Sequence, residues 1–287
     1  MVFSKDLGAV CRMIKIEHSV FALPFAFAGA FLAARGWPGL WNLIVLTVAM
    51  VAVRSFAMAF NRYADLDIDR ENPRTQGRPL VTGELSTRFT LMFILGAAAL
   101  FMAACALMNP LCLLLSPVAL GLSAFYSFCK RITYWCHFVL GSVLGLAPVA
   151  GWLCVDPAFT PPAVLLFLGV TLWVAGFDLL YACQDAAFDR ERGLWSIPAR
   201  LGVPAALAMS SLSHAVAAIL FVLAGWVAGL GGVYLVVSAA IGLVLVAEHL
   251  LVRPDDMSRV NVAFFTLNGV ISVVLFLGVA VDLWLCA

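Results

Sequence analysis

Nine stretches of about twenty mostly apolar residues, bounded by charges, Pro or Gly, dominate this chain. They lie near 17–35, 39–60, 89–108, 111–128, 135–154, 162–181, 203–228, 231–252 and 261–286. A helix needs roughly 20 such residues to cross the hydrocarbon core of a bilayer. None of the nine alternates polar and apolar residues at period two, as a lipid-facing β-barrel strand must. Helices remain, since they too satisfy every backbone group in lipid. The expected fold class is therefore all-α, a polytopic membrane helical bundle with about nine transmembrane helices. Composition agrees: 64% of the 287 residues are hydrophobic and 11% are charged, against about 25% charged in soluble domains. The net charge of +1 supplies no basic field for nucleic acid, so none is expected as a partner.

The first apolar run has no small-residue cleavage site, holds Pro24 and precedes eight more, so it is read as a span and not as a signal peptide. The stretch before it, with Lys5, Arg12 and Lys15, is expected to lie along the membrane surface. Basic residues in short loops set orientation. With the N-terminus in the cytoplasm, segments 1–16, 61–88, 129–134, 182–202 and 253–260 hold fifteen of the seventeen Lys and Arg residues. The expected location is the cell (inner) membrane, multi-pass, with N-terminus and active site cytoplasmic. The eight cysteines are scattered without metal-ligand or disulfide spacing and are read as packed thiols.

Segments 61–88 and 178–200 hold 17 of the 33 charged residues. Both begin at the cytoplasmic end of an apolar run, and the helix is expected to continue into them. At 3.6 residues per turn, Asn61, Asp65 and Asp69 then share one helical face. Asp178, Asp185 and Asp189 share another, with Tyr181 at its edge, while Asp67 points away. Stacked carboxylates repel and call for a cation. Oxygen donors without clustered His or Cys indicate a hard ion such as Mg2+, which completes its shell with water and substrate phosphates. Arg62, Arg70, Arg74, Arg78, Lys130 and Arg131 in the same layer suit a diphosphate. Pro73 and Pro79 break the helix, so 73–83 is expected to form a structured loop over the site.

At these residues the sequence resembles the UbiA family of intramembrane aromatic prenyltransferases. The resemblance rests on Asn61-x-x-x-Asp65-x-x-x-Asp69 and on Asp178-x-x-Tyr181-Ala182-x-x-Asp185-x-x-x-Asp189. Asn72-x-Arg74-x-x-x-Arg78-Pro79-Leu80-x-x-Gly83, Tyr126-x-x-x-Lys130-Arg131-x-Thr133, and Gly141 with Gly145 through Gly151-Trp152 add to it. The second segment looks most like the 4-hydroxybenzoate polyprenyltransferase branch. Where many members carry Asp after the motif Asn, this chain has Arg62, as in a sub-branch linked to menaquinone made through futalosine.

The resemblance implies one prenyltransferase domain over 1–287, with 61–88 and 182–202 as cytoplasmic active-site loops. It implies Mg2+-dependent transfer of a polyprenyl group from its diphosphate to 4-hydroxybenzoate or a related quinone precursor, in ubiquinone or menaquinone biosynthesis. Partners would be those substrates and membrane lipid. Asp65, Asp69, Asp185 and Asp189 would be catalytic and, with Asn61, hold the metal. Arg74, Arg78 and Lys130 would clamp diphosphate, and Tyr126 and Tyr181 would face the allylic cation. Arg54 and Asp178 are ionisable groups within or at the end of spans. Arg54 is expected to meet the acceptor's carboxylate or orient Asp65, with structural pairing to Asp178 as the competing reading. Glu248 and Asp282 are expected to reach an interface, and His137 and His214 to be packed polar residues. A secondary transporter of a small anionic solute is the alternative from another class, although its key groups would sit near the midplane. Within the family, a dihydroxynaphthoate prenyltransferase is the alternative.

Overall fold

A computed structural model describes residues 2–15, 22–251 and 268–285. The segments 16–21, 252–267 and 286–287 lie outside the described residues, as does the side chain of Lys5. The expected inside segment 253–260, the starts of the first and ninth apolar runs and Cys286 therefore go undescribed. No strand occurs among the described residues.

The described residues form a succession of helices. A first helix, α1 (Val2–Ile14), precedes the short α2 (Leu23–Ala34); α3 (Leu40–Ala64) leads into α4 (Leu66–Glu71). Then come α5 (Thr87–Met108), α6 (Pro110–Cys129), α7 (Cys136–Val155) and α8 (Pro161–Ala182). The short α9 (Ala186–Glu191) and α10 (Ile197–Leu201) follow, then α11 (Val203–Ala228), α12 (Gly232–Leu251) and α13 (Asn268–Leu285). Eight of these helices are long and apolar enough to span a bilayer. The twelve residues of α2 rise only about 18 Å, short of the roughly 30 Å core.

Helix α8 is the axis of the bundle. In its most apolar stretch 61% of residues are buried, against 22% in α5 and in α6. It packs between α7 and α11; α11, α12 and α13 lead round to α2, which returns to α7, while α3, α5 and α6 form the other flank. Trp173 of α8 sits among Phe25, Phe177 and other buried apolar side chains, with its ring centroid 5.1 Å from that of Phe25. Close approach sets the α2–α7 contact: a Cβ on Gly151 would lie 1.8 Å from Ala26 O, and one on Gly29 would lie 2.0 Å from Pro148 O. Small residues let helices touch backbone to backbone where lipid supplies no hydrophobic drive.

Two expectations near span ends are corrected. Glu248 and Asp282 do not reach an interface; both are buried. Asp282 accepts the N–H groups of Gly231 (2.6 Å) and Tyr234 (2.9 Å), satisfying donors at the start of α12 that helix geometry leaves over. Glu248 accepts from Asn268 Nδ2 at 3.1 Å, and Asn268 Oδ1 accepts from Trp173 Nε1 at 2.8 Å. His214 is the packed residue expected: its ring lies against Gly176, and its Nε2 is 3.1 Å from Trp173 O.

Candidate functional site

The two acidic segments leave their spans differently. Helix α3 ends at Ala64, and Asp65, with φ −99° and ψ 11°, forms a kink before α4. The hydrogen-bond ladder nevertheless carries through, Asp65 N–H to Asn61 O (2.9 Å) and Asp69 N–H to Asp65 O (2.8 Å). The expected one-turn stack of Asn61, Asp65 and Asp69 is therefore kept. The second segment does not continue as one helix: α8 tightens into a 3-10 turn over Cys183–Asp185 before α9 begins. The tighter winding turns Asp185 and Asp189 relative to Asp178.

A cavity of about 340 Å³ opens between these segments. It is lined by Arg54, Asn61, Asp65, Asp69, Arg74, Arg78, Tyr126, Lys130, Asp178, Tyr181, Asp185 and Asp189, whereas Arg70 and Arg131 of the expected basic layer are not among its lining residues. Its polar end holds the charges, and Met50, Val53, Phe101, Ala119 and Ala150 line it further along the spans.

Each of the four motif carboxylates pairs with a cation. Arg74 grips Asp185 with two parallel bonds, Nε to Oδ1 at 2.9 Å and Nη2 to Oδ2 at 2.5 Å, and its Nη1 donates to the Tyr181 hydroxyl at 3.1 Å. Arg78 pairs with Asp69. Lys130 Nζ lies 3.0 Å from Asp189 Oδ2, which also accepts from Ser196 Oγ at 2.8 Å. Arg131 Nη2 bridges Asp65 Oδ1 (2.9 Å) and Ala64 O (2.6 Å). Adjacent residues of the α6–α7 loop thus hold one carboxylate from each motif. Burial works against the charge of Lys130 and of Arg74, but the carboxylates on them outweigh it and hold both pKa values above their ordinary range. Burial raises the Asp65 carboxyl above the usual range, with Arg131 pulling the other way.

The amide of Asn61 is spent inside the first motif. Its Oδ1 accepts from Arg62 Nη1 (3.0 Å) and its Nδ2 donates to Asp65 Oδ2 (2.8 Å). Asn61 therefore orients Asp65, and the buried Arg62 occupies the amide oxygen expected to face a metal. Asp67 is exposed and paired with Arg70, away from the cavity, as expected.

As a metal site, the cavity offers carboxylate oxygens in pairs, one turn apart in each motif. Mg2+ takes one or two carboxylates and fills its shell with water and phosphate oxygens, so this donor set fits it. Among the described residues, no three His, Cys, Asp or Glu side chains group closely enough to cage an ion alone.

The loop between Asn72 and Ser86 covers the polar end. Thr75 Oγ1 donates to Asp69 O at 2.9 Å, and the Asn72 side chain accepts from Arg74 N–H at 2.9 Å. Glu84 pairs with Arg12 of α1, and Glu71 with Arg192.

Three further residues of the site, His137, Ser196 and Ser127, are given no role in it by the sequence. Asp178 is partnered by His137, whose Nδ1 lies 2.7 Å from Asp178 Oδ2; the sequence suggested Arg54 for that place. Ser196 ties the N-terminus of α10 to Asp189. Ser127 Oγ is buried against the cavity with no hydrogen-bond partner among the described residues. It lies one turn before Lys130, a spacing that could have nominated it.

The model of the UbiA prenyltransferase family matches residues 22–270. A 4-hydroxybenzoate octaprenyltransferase of Alkalilimnicola ehrlichii is 32% identical over 90% of this chain and 87% of its own. One of Salmonella paratyphi C is 30% identical, covering 97% and 96%. Among solved structures, the apo form of a UbiA homologue from Aeropyrum pernix K1 superposes with a TM-score of 0.84 and 38% identity, over 93% of this chain and 98% of that one. A UbiA homologue from Archaeoglobus fulgidus bound to DMAPP and Mg2+ shares the fold, with a TM-score of 0.74 and 18% identity over 95% and 99%.

Proposed function

Since the chain belongs to the UbiA prenyltransferase family, an integral-membrane family of prenyl-transferring enzymes, we propose that it prenylates a hydroxylated aromatic acid. The donor is a polyprenyl diphosphate, and the acceptor is 4-hydroxybenzoate or a close quinone precursor. The relatives named as 4-hydroxybenzoate octaprenyltransferases support that acceptor class. One observation carries the reading: four carboxylates from two motifs and the cations that match a diphosphate converge on one end of one cavity, with apolar walls beyond. The whole chain acts as one domain, with the loops at 61–88 and 182–202 facing the cytoplasm.

Asp65 and Asp69 on one side, and Asp185 and Asp189 on the other, would hold Mg2+. When bound, the metal neutralises negative charge that grows on the departing diphosphate. A homologue of the same fold that binds DMAPP and Mg2+ together is in keeping with a divalent metal as the cofactor. Arg74, Arg78 and Lys130 bind the diphosphate oxygens, exchanging a carboxylate partner for a phosphate one, and stabilise the same developing charge. The Tyr126 and Tyr181 rings face the allylic carbon as positive charge builds there. Met50, Val53 and Phe101 receive the prenyl chain and keep water from it. Arg54 takes the acceptor's carboxylate, and Asp178 its hydroxyl. The acceptor ring carbon bonds to the prenyl carbon as the C–O bond to diphosphate breaks, and the ring proton leaves.

The test is purified protein with radiolabelled polyprenyl diphosphate, Mg2+, and a panel holding 4-hydroxybenzoate and dihydroxynaphthoate. Mg2+-dependent labelled product with 4-hydroxybenzoate is the expected outcome. Product with dihydroxynaphthoate alone would move the acceptor to the naphthoate class. No product with any acceptor would overturn the reading.

A further inference from the structure

His137, the second residue of α7, is fully buried and makes two polar contacts. Its Nδ1 lies 2.7 Å from Asp178 Oδ2, and its Nε2 accepts the backbone N–H of Ile197 at 3.3 Å. A backbone N–H can only donate, so Nε2 must carry the lone pair and the proton must sit on Nδ1. The ring then donates from Nδ1 to Asp178, and the carboxylate keeps its charge. The N-terminus of α10 fixes the arrangement from below: Ile197 is its first residue, and an N–H there has no partner within the helix.

Asp178 lines the cavity, and its side chain is 18% exposed. With Oδ2 on His137, Oδ1 makes no hydrogen bond among the described residues. A charged carboxylate oxygen in a water-poor cavity accepts a hydroxyl proton strongly and repels a second carboxylate. It has nothing to offer an ether or a bare ring edge. Without the His137 bond, Asp178 is free to rotate and its charge is less well supported.

We propose that His137 is a positioning residue that locks Asp178 as the recognition point for a hydroxyl group on the aromatic acceptor. The chain thereby selects hydroxylated over O-methylated or unhydroxylated rings. This rests on the prenyltransferase reading above. It also links the two substrates through one short helix, since Ser196 at the same N-terminus holds Asp189 on the diphosphate side.

The test compares wild type, His137→Leu and His137→Gln in detergent with Mg2+, radiolabelled farnesyl diphosphate and 4-hydroxybenzoate, adding 4-methoxybenzoate as competitor. A Gln amide can donate to Asp178 and accept from Ile197, whereas Leu can do neither. For His137→Leu, the KM for 4-hydroxybenzoate should rise about tenfold or more while that for farnesyl diphosphate stays within about twofold, the cost of one charge-assisted hydrogen bond. The preference for 4-hydroxybenzoate over 4-methoxybenzoate should collapse in His137→Leu and return in His137→Gln. A folding defect would instead lower the amount of active enzyme and leave both KM values and the preference unchanged. An unchanged acceptor KM and preference in His137→Leu, or equal loss in both variants, would overturn the inference alone. No product from wild type would overturn the prenyltransferase reading and the inference together.

Discussion

The two acidic motifs carry the same chemistry on unlike supports. The first follows a kinked but continuous helix end, and its Asp65 is half-buried, held by an exposed Arg131 and by Asn61. The second follows α8, the most buried span, and its Asp185 and Asp189 are both buried. Around Asp189 the chain is tied three times: Ser196 to its carboxylate, Leu194 N–H to its carbonyl (2.8 Å), and Trp195 N–H to Lys130 O (2.6 Å). Asp65 is the most open of the four carboxylates, while Asp69 of the same motif is as buried as Asp185 and Asp189.

Removing a carboxylate on each side separates these supports most strongly. Asp189→Ala leaves the half-buried Lys130 without its anion, so unfolding should cost about 1–3 kcal/mol less, seen as a fall in thermal midpoint in detergent. Asp65→Ala should change stability by no more than about 1 kcal/mol. Both should lose turnover on the order of 10²–10³-fold, the effect of removing a group that stabilises transition-state charge. Equal destabilisation by the two variants would break the contrast.

The next effect is in pH. A carboxyl raised by burial, as Asp65 is, holds its proton to higher pH than a free aspartate, so on the proposed reading a proton would compete there with the metal. As pH falls through that value, the apparent Mg2+ requirement should climb about tenfold per unit, and Asp65→Asn should flatten the climb. A Mg2+ requirement equally pH-dependent in wild type and Asp65→Asn would contradict it.

Ser196→Ala should have the smallest effect. It removes one bond to Asp189 and leaves Lys130 in place, so about 1 kcal/mol of stability and a few-fold in turnover are expected, measured by thermal unfolding and initial rates. A loss as large as that of Asp189→Ala would mean that the hydroxyl does more than brace the carboxylate.

Much of this was legible because hydrocarbon thickness imposes one length on every span, and because charge is scarce enough here for its placement to carry information. The stack Asn61, Asp65, Asp69 follows from helical periodicity, which the kink preserves. The partner of Asp178 was not legible: His137 is 41 residues away on another helix, and only packing of α7 on α8 joins them. The local tightening at Cys183–Asp185 has no Gly or Pro to announce it. Nor could position along a span show that Asp282 serves the start of the preceding helix and not the membrane surface. Nor does spacing announce that the Asn61 amide bonds to both Arg62 and Asp65.

The central claim is that one site takes metal and diphosphate together, the cations passing from carboxylate to phosphate. Electron paramagnetic resonance of Mn2+, titrated into the full-length protein with and without a non-hydrolysable prenyl thiolodiphosphate, tests it directly. Tight Mn2+ binding should appear only with the thiolodiphosphate and be lost in Asp65→Ala and in Asp185→Ala. Mn2+ binding that is indifferent to the thiolodiphosphate, or that survives in both variants, would contradict the account.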